Sequence, residues 1–169
     1  MSPLLQRKVC MLGDFAVGKT SLVRQFVDNK FDDKYLSTIG VKISRRSVQL
    51  DDGQQVNLLL WDLAGSEDFT GVKASYLGGT AGALLVCDLT RQYTLESIKN
   101  YRDQLHTASP EAELLLLGNK NDLTDEHQVT TEMLETFAEE LSIPYFKTSA
   151  KVGENVAQAF QTLAEKLGS

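Results

Sequence analysis

The chain is poor in the features that mark a membrane protein, a disulfide scaffold or a nucleic-acid binder. It carries 2 cysteines and 2 histidines in 169 residues. Cys10 and Cys87 each sit inside an apolar, strand-like run. That setting suits small buried packing residues in a reducing compartment better than a disulfide or a metal pair. His106 and His127 stand alone in polar stretches and are given no role. No apolar run reaches bilayer-spanning length, and no signal-peptide pattern is present. Basic charge is scarce too. Lys and Arg number 17 against 23 Asp and Glu, a net charge of −6. This disfavours nucleic acid as a partner and supplies no polybasic patch for anionic lipid. Ser2 stands where myristoylation needs glycine, and no cysteine lies near Ser169, so no intrinsic lipid anchor and a cytoplasmic site are expected. Repeats, low-complexity segments and Pro/Gly/Ser-rich linkers are missing as well, which leaves one domain over residues 1–169.

What is present is alternation. Strand-like runs near 7–13, 39–50, 54–62, 81–88, 112–118 and 144–148 alternate with helical patterns near 19–29, 68–78, 94–107, 130–141 and 153–167. The expectation is an α/β fold, a six-stranded, mostly parallel sheet with helices on both faces. Only Asp51-Asp52-Gly53 separates the second and third strands, a hairpin signal that makes this pair antiparallel and puts the second strand at an edge. Apolar residues on that strand change parity, from Ile39, Val41 and Ile43 to Val48 and Leu50, which suggests a bulge or strong twist near Ser44–Ser47. Lys42, Arg45 and Arg46 read first as protection of the edge against unwanted pairing; a docking strand for a partner is the other reading. The last helix places Val156, Ala159, Phe160, Leu163 and Leu167 on one stripe, assigned to core packing.

The stretch with the clearest chemistry is Gly13-Asp14-Phe15-Ala16-Val17-Gly18-Lys19-Thr20, which fits G-x-x-x-x-G-K-[ST]. It follows the apolar run Val9–Leu12 and precedes a helical pattern with Leu22, Val23, Phe26 and Val27 on one face. Gly13 and Gly18 free the backbone for tight geometry and close approach to an anion. Loop amides and the helix N-terminus offer partial positive charge to phosphate oxygens. Lys19 adds a full charge for the β- and γ-phosphates, and the Thr20 hydroxyl is a hard oxygen for Mg²⁺.

Further motifs close the next strands. Trp61-Asp62-Leu63-Ala64-Gly65 ends the third, with Asp62 placed to hold Mg²⁺ or its water and Gly65 to bring an amide to a terminal phosphate. Asn119-Lys120-Asn121-Asp122 follows the fifth strand and Thr148-Ser149-Ala150-Lys151 the sixth. Taken together and in this order, the set resembles the Ras-like small GTPases, nearest the Rab-like branch, over essentially the whole chain.

That resemblance implies GTP or GDP as the ligand with Mg²⁺. It implies a binding set of Gly13 to Ser21 (with Asp14, Phe15, Ala16, Val17, Gly18, Lys19 and Thr20 between), Phe31, Tyr35, Thr38, Gly65, Asn119, Lys120, Asp122, Leu123, Ser149, Ala150 and Lys151. Asp122 would pair with guanine's ring N–H and exocyclic amine, and adenine would leave that carboxylate badly paired. Lys120 would cover the base, Asn119 would tie the loops together, and the Ala150 amide would meet the guanine carbonyl. Phe31 resembles the aromatic against the base and Tyr35 the one that closes over the phosphates. Thr38 resembles the threonine that joins Thr20 and Asp62 at Mg²⁺. Segments 31–42 and 65–77 would be switches held by the γ-phosphate and released on hydrolysis. Effector, activating and exchange proteins would read them on a monomeric chain.

Three departures all concern hydrolysis. Ser66 stands where the family usually has a water-orienting glutamine, and its short hydroxyl cannot offer both an amide donor and an acceptor. Phe15 stands where a small residue is common and could obstruct an arginine from an activating partner. Leu63 replaces a usual threonine. With Lys19, Gly65 and Ser66 as the residues nearest the chemistry, the expectation is a slow GTP hydrolase. A GTP-binding module without catalysis is the alternative, and a phosphate-loop kinase is disfavoured by the guanine-type motif at Asn119–Asp122.

Overall fold

The parity of apolar residues along each strand decides which face of a sheet a side chain enters. In the first strand Val9 and Met11 alternate with Cys10 and Leu12, all apolar, so both faces must be covered. The computed structural model describes residues 5–28, 41–63 and 74–168. Among these, β1 is Leu5–Leu12, β2 Val41–Gln49, β3 Gln55–Leu63, β4 Gly82–Asp88, β5 Glu113–Asn119 and β6 Tyr145–Lys147. They form one sheet in the order β2-β3-β1-β4-β5-β6, with β2 antiparallel to β3 and every other pair parallel.

The helices are α1 Lys19–Asp28, α2 Ala74–Leu77, α3 Gln92–Glu96, α4 Ile98–Ala108, α5 Thr131–Leu141 and α6 Val156–Leu167. On one face α1 and α6 cover Val9, Met11, Leu58, Leu84, Val86 and Leu115, with Phe26 and Phe160 stacked at 4.0 Å and 4° between planes. The other face carries Cys10, Leu12, Leu85, Cys87 and Leu116 beneath Leu77, Leu95, Ile98, Tyr101, Leu105 and Leu134 from α2 to α5. Both cysteines are buried and free, and burial pushes both thiols up, so they behave as packing groups.

The edge strand corrects the sequence reading. Its pairing runs unbroken from Val41↔Leu63 to Gln49↔Gln55, so there is no bulge near Ser44–Ser47. The change of parity is a change of face. Val41 packs with Trp61 and Tyr76 on one side, while Val48 and Leu50 enter the opposite core beside Phe26. A sheet covered on both faces can bury either parity, so no register slip is needed. Ile43 is 53% exposed beyond the covered part. Arg46 instead lies over the Phe26 ring at 4.4 Å and donates to the Phe26 carbonyl, which makes it a packing residue as well as an edge charge.

Two helix boundaries also differ. The pattern near 94–107 begins earlier, at Gln92, and divides at Ser97, whose hydroxyl donates back to the Tyr93 carbonyl at 3.0 Å. The last helix begins at Val156, not 153, because Gly153 (φ 81°) and Asn155 (φ 57°) take left-handed backbone in the turn before it. Of the helix read at 68–78, residues 74–78 lie within the described residues, and there the helix spans Ala74–Leu77.

Candidate functional site

Parallel pairing brings the carboxyl ends of β1, β3, β4 and β5 together, with Met11 beside Asp62 and Asp88 beside Asn119. The loop after β1 sits over this edge. Gly13 is required there by the neighbouring strand: a Cβ would lie 2.3 Å from the Val86 carbonyl oxygen of β4. Gly18 enters α1 at φ 105°, and Ala16 takes φ 63° without being glycine, so the loop is held in a curved, left-handed-containing path.

Lys19 is drawn into that curve. It is 5% exposed, and its ammonium donates to the Gly13 and Asp14 carbonyls at 2.8 and 3.0 Å. Burial pulls its pKa down to about 8, against the attraction of Asp62 and Asp14, and Arg91 adds to the depression. A buried ammonium held by two backbone carbonyls is suited to an anion. Asp14 directs its carboxylate away, to the buried Tyr101 hydroxyl at 2.9 Å, so only its backbone belongs to the loop's inner surface. Phe15 is 43% exposed at the loop's crest. Val17 in the loop and Ser21 in the first turn of α1 are buried.

Thr20 and Asp62 meet: the Thr20 hydroxyl donates to Asp62 Oδ2 at 2.5 Å. The two hard oxygens, one anionic and 1% exposed, form a donor set that fits Mg²⁺. Among the described residues no cluster of three or more His, Cys, Asp or Glu is placed to hold a metal.

The loops after β5 and β6 are tied to the same centre. Asn119 is fully buried, donates its amide to the Val17 carbonyl at 3.0 Å and accepts from the Thr148 hydroxyl at 3.0 Å. Three loops thus share one side chain. Lys120 takes φ 68° and reaches Asp88 at 3.0 Å. Asp122 accepts from the Ser149 hydroxyl at 2.7 Å, and that hydroxyl also accepts from the Val152 amide at 3.2 Å. Leu123 is half-buried with its amide on the Lys120 carbonyl, Ala150 is buried, and Lys151 is exposed. Phe31, Tyr35, Thr38, Gly65 and Ser66 lie outside the described residues. So does most of segments 31–42 and 65–77.

Reading motifs alone missed Asp88, Arg91 and Tyr101. Asp88 ends β4, a buried strand, and an acidic residue closing such a strand is the one signal that pointed to it. The Arg91 and Tyr101 contacts are set by the α3–α4 packing and leave no trace in a local pattern.

A family model described as the Ras family matches residues 8–169. The chain is 40% identical over 161 residues to "GTP-binding protein YPTM2" of Zea mays, covering 95% of this chain and 79% of that one. It is also 40% identical over 157 residues to "Ras-related protein RABD2b" of Arabidopsis thaliana, covering 92% and 77%.

Proposed function

The chain belongs to the Ras family, on its Rab-like side, and from that premise we propose that it is a GTP/GDP switch that hydrolyses GTP slowly within one domain over residues 1–169. The observation that carries this reading is the convergence of Lys19, Thr20, Asp62 and Asn119 on one loop at the carboxyl edge of the sheet. The guanine would lie against Asn119, Lys120, Asp122, Leu123, Ser149, Ala150 and Lys151. Asp122, already accepting one hydrogen bond from Ser149, has acceptor capacity left for a base edge that presents two donors. The phosphates would lie in the loop from Gly13 to Ser21, with Lys19 exchanging two backbone carbonyls for phosphate oxygens.

Thr20 and Asp62, with Thr38, would hold Mg²⁺. When bound, the ion neutralises charge on the β- and γ-oxygens. Lys19 and the Gly65 amide would stabilise charge on the same oxygens as water attacks the γ-phosphorus in line. Ser66 gives the attacking water no amide to orient it, so turnover is slow and depends on a partner to supply that group. Effector, activating and exchange proteins would meet the monomeric chain in the cytoplasm through segments 31–42 and 65–77.

Phe15 favours a second reading. An aromatic ring 43% exposed on the phosphate loop obstructs an incoming arginine, and with Ser66 it would leave a binding switch without catalysis. The test is single-turnover hydrolysis of GTP by the Mg²⁺-loaded chain beside Ser66→Gln, with bound nucleotide identified by chromatography. Bound GTP with faster turnover in Ser66→Gln supports the slow hydrolase. Bound GTP with both proteins inert supports the binding switch, and wild-type turnover equal to that of Ser66→Gln overturns the role given to Ser66.

A further inference from the structure

Asp88 and Arg91 belong to none of the motifs above, yet they bolt the phosphate loop to the end of β4. The Asp88 carboxylate is 1% exposed. Its Oδ1 accepts from the Thr90 amide at 2.8 Å and the Thr90 hydroxyl at 2.6 Å. Its Oδ2 accepts from Arg91 Nε at 2.9 Å and from Lys120 Nζ at 3.0 Å. Burial, the largest influence, would raise the pKa of this carboxyl, but the Thr90 hydrogen bonds, Lys120 and Arg91 outweigh it and hold it below the usual range. The carboxylate is therefore a fixed anchor. The loop that carries it is itself braced, because Thr94 Oγ1 receives the Asp88 amide at 2.8 Å and donates to the Arg91 carbonyl at 2.7 Å.

From that anchor the Arg91 guanidinium spends its planar fork on three different acceptors. Nε goes to Asp88, Nη1 to the Tyr93 hydroxyl at 2.8 Å, and Nη2 to the Phe15 carbonyl at 3.0 Å. The last bond crosses 76 residues of sequence to the crest of the phosphate loop. A trans peptide sets its C=O and N–H on opposite sides, and no cis bond occurs among the described residues. Holding the Phe15 carbonyl toward Arg91 therefore turns the Ala16 N–H away from it. On the nucleotide reading above, that amide is one of the loop's phosphate donors. Ala16 has a left-handed φ of 63°, which a non-glycine residue keeps only when its surroundings impose it.

We propose that Arg91, anchored by Asp88, is a positioning residue that orients the Phe15–Ala16 peptide toward the terminal phosphates of the bound nucleotide. The proposal rests on the nucleotide reading and assigns to Arg91 a share of β-phosphate affinity that base recognition does not touch. A lysine cannot replace it, since an ammonium lacks the fork that meets Asp88 and Phe15 together.

The test compares Kd for GDP and GMP, with Mg²⁺, in wild type, Arg91→Ala and Arg91→Lys, with thermal midpoints measured alongside. The expected result is a loss of about tenfold for GDP and little change for GMP in both variants, the scale of one charge-assisted hydrogen bond. The ratio of the two constants thus falls about tenfold. Equal losses for both nucleotides would mean a merely structural role and overturn the proposal, as would an unchanged ratio. Should Arg91→Ala not fold, the ratio in Arg91→Lys decides by the same criterion. A wild-type chain that binds neither nucleotide overturns the nucleotide reading and this proposal with it, whereas wild-type GDP binding with unaltered variants overturns the proposal alone.

Discussion

The Thr20 hydroxyl donates to Asp62 Oδ2 at 2.5 Å, joining the first turn of α1 to the end of β3. The two residues are 42 apart in sequence and are brought together by the parallel pairing of β1 with β3. A carboxylate this buried and this close to a hydroxyl is a ready pair of oxygens for a hard cation. Asp62→Ala should raise the Mg²⁺ concentration needed to slow GDP release by about 10–100-fold. Release of a fluorescent GDP analogue against Mg²⁺ concentration measures this, and an unshifted midpoint would remove Asp62 from the metal site.

Lys19 links nucleotide binding to pH. Its folded pKa of about 8 lies below the ordinary 10.5 because the ammonium is buried. Without nucleotide, the unfolded chain holds this proton across the window from about 8 to 10.5 and the folded chain does not, so stability rises with pH there. Nucleotide binding has the opposite slope. Phosphates favour the charged form, so affinity is full below pH 8 and weakens as pH rises above it. Titration calorimetry with GDP from pH 7 to 8.5, below the range in which guanine loses its ring N–H, on wild type beside Lys19→Met, checks the sign: the slope belongs to wild type alone.

Asp122 predicts base selectivity. On the proposed nucleotide reading, Asp122→Ala would remove an acceptor of two hydrogen bonds to guanine, charge-assisted on the protein side. It should therefore lower GDP affinity by at least about 100-fold while leaving the much weaker ADP affinity unchanged. Competition binding with both nucleotides measures it. Parallel losses for GDP and ADP would point to damage of the loop instead.

The core offers a stability test that ignores the site. Phe160 is fully buried and stacks on Phe26 at 4.0 Å, joining α6 to α1 across the face that carries Leu58 and Val86. Phe160→Ala should cost about 3–5 kcal/mol in urea unfolding. Arg46→Ala, losing only a cation–π contact and a carbonyl hydrogen bond at the edge, should cost about 1 kcal/mol. A reversed order would contradict the packing described.

The element order and the phosphate loop were legible in the chain because both are written locally. Val9–Leu12 reads as a strand buried on both faces, and Gly13 to Thr20 carries its whole pattern within eight consecutive residues. Other features were read with only part of their cause. The parity change from Ile43 to Val48 suggested a bulge or strong twist; the unbroken pairing excludes the bulge, and the change records a switch between two covered faces, which depends on where α1 and α6 lie. Gly13 was read as freeing the backbone for positive φ and close approach to an anion; its φ of 156° fits that geometry, and the Val86 carbonyl of the neighbouring strand adds a reason the sequence does not contain.

By itself, the sequence determined the strand and helix order, the antiparallel edge hairpin, the residue types at the phosphate loop and the family to which the chain belongs. These follow from hydrophobic period, turn chemistry and contiguous motifs, all of them short-range. Only the tertiary structure decided that the Lys19 ammonium folds back on Gly13 and Asp14, that Asp14 turns to Tyr101, and that Asp88 holds both Arg91 and Lys120. Those relations join residues up to 87 positions apart. Strand register and helix packing set them, and the energy of such a contact depends on burial and distance, neither of which a linear pattern contains.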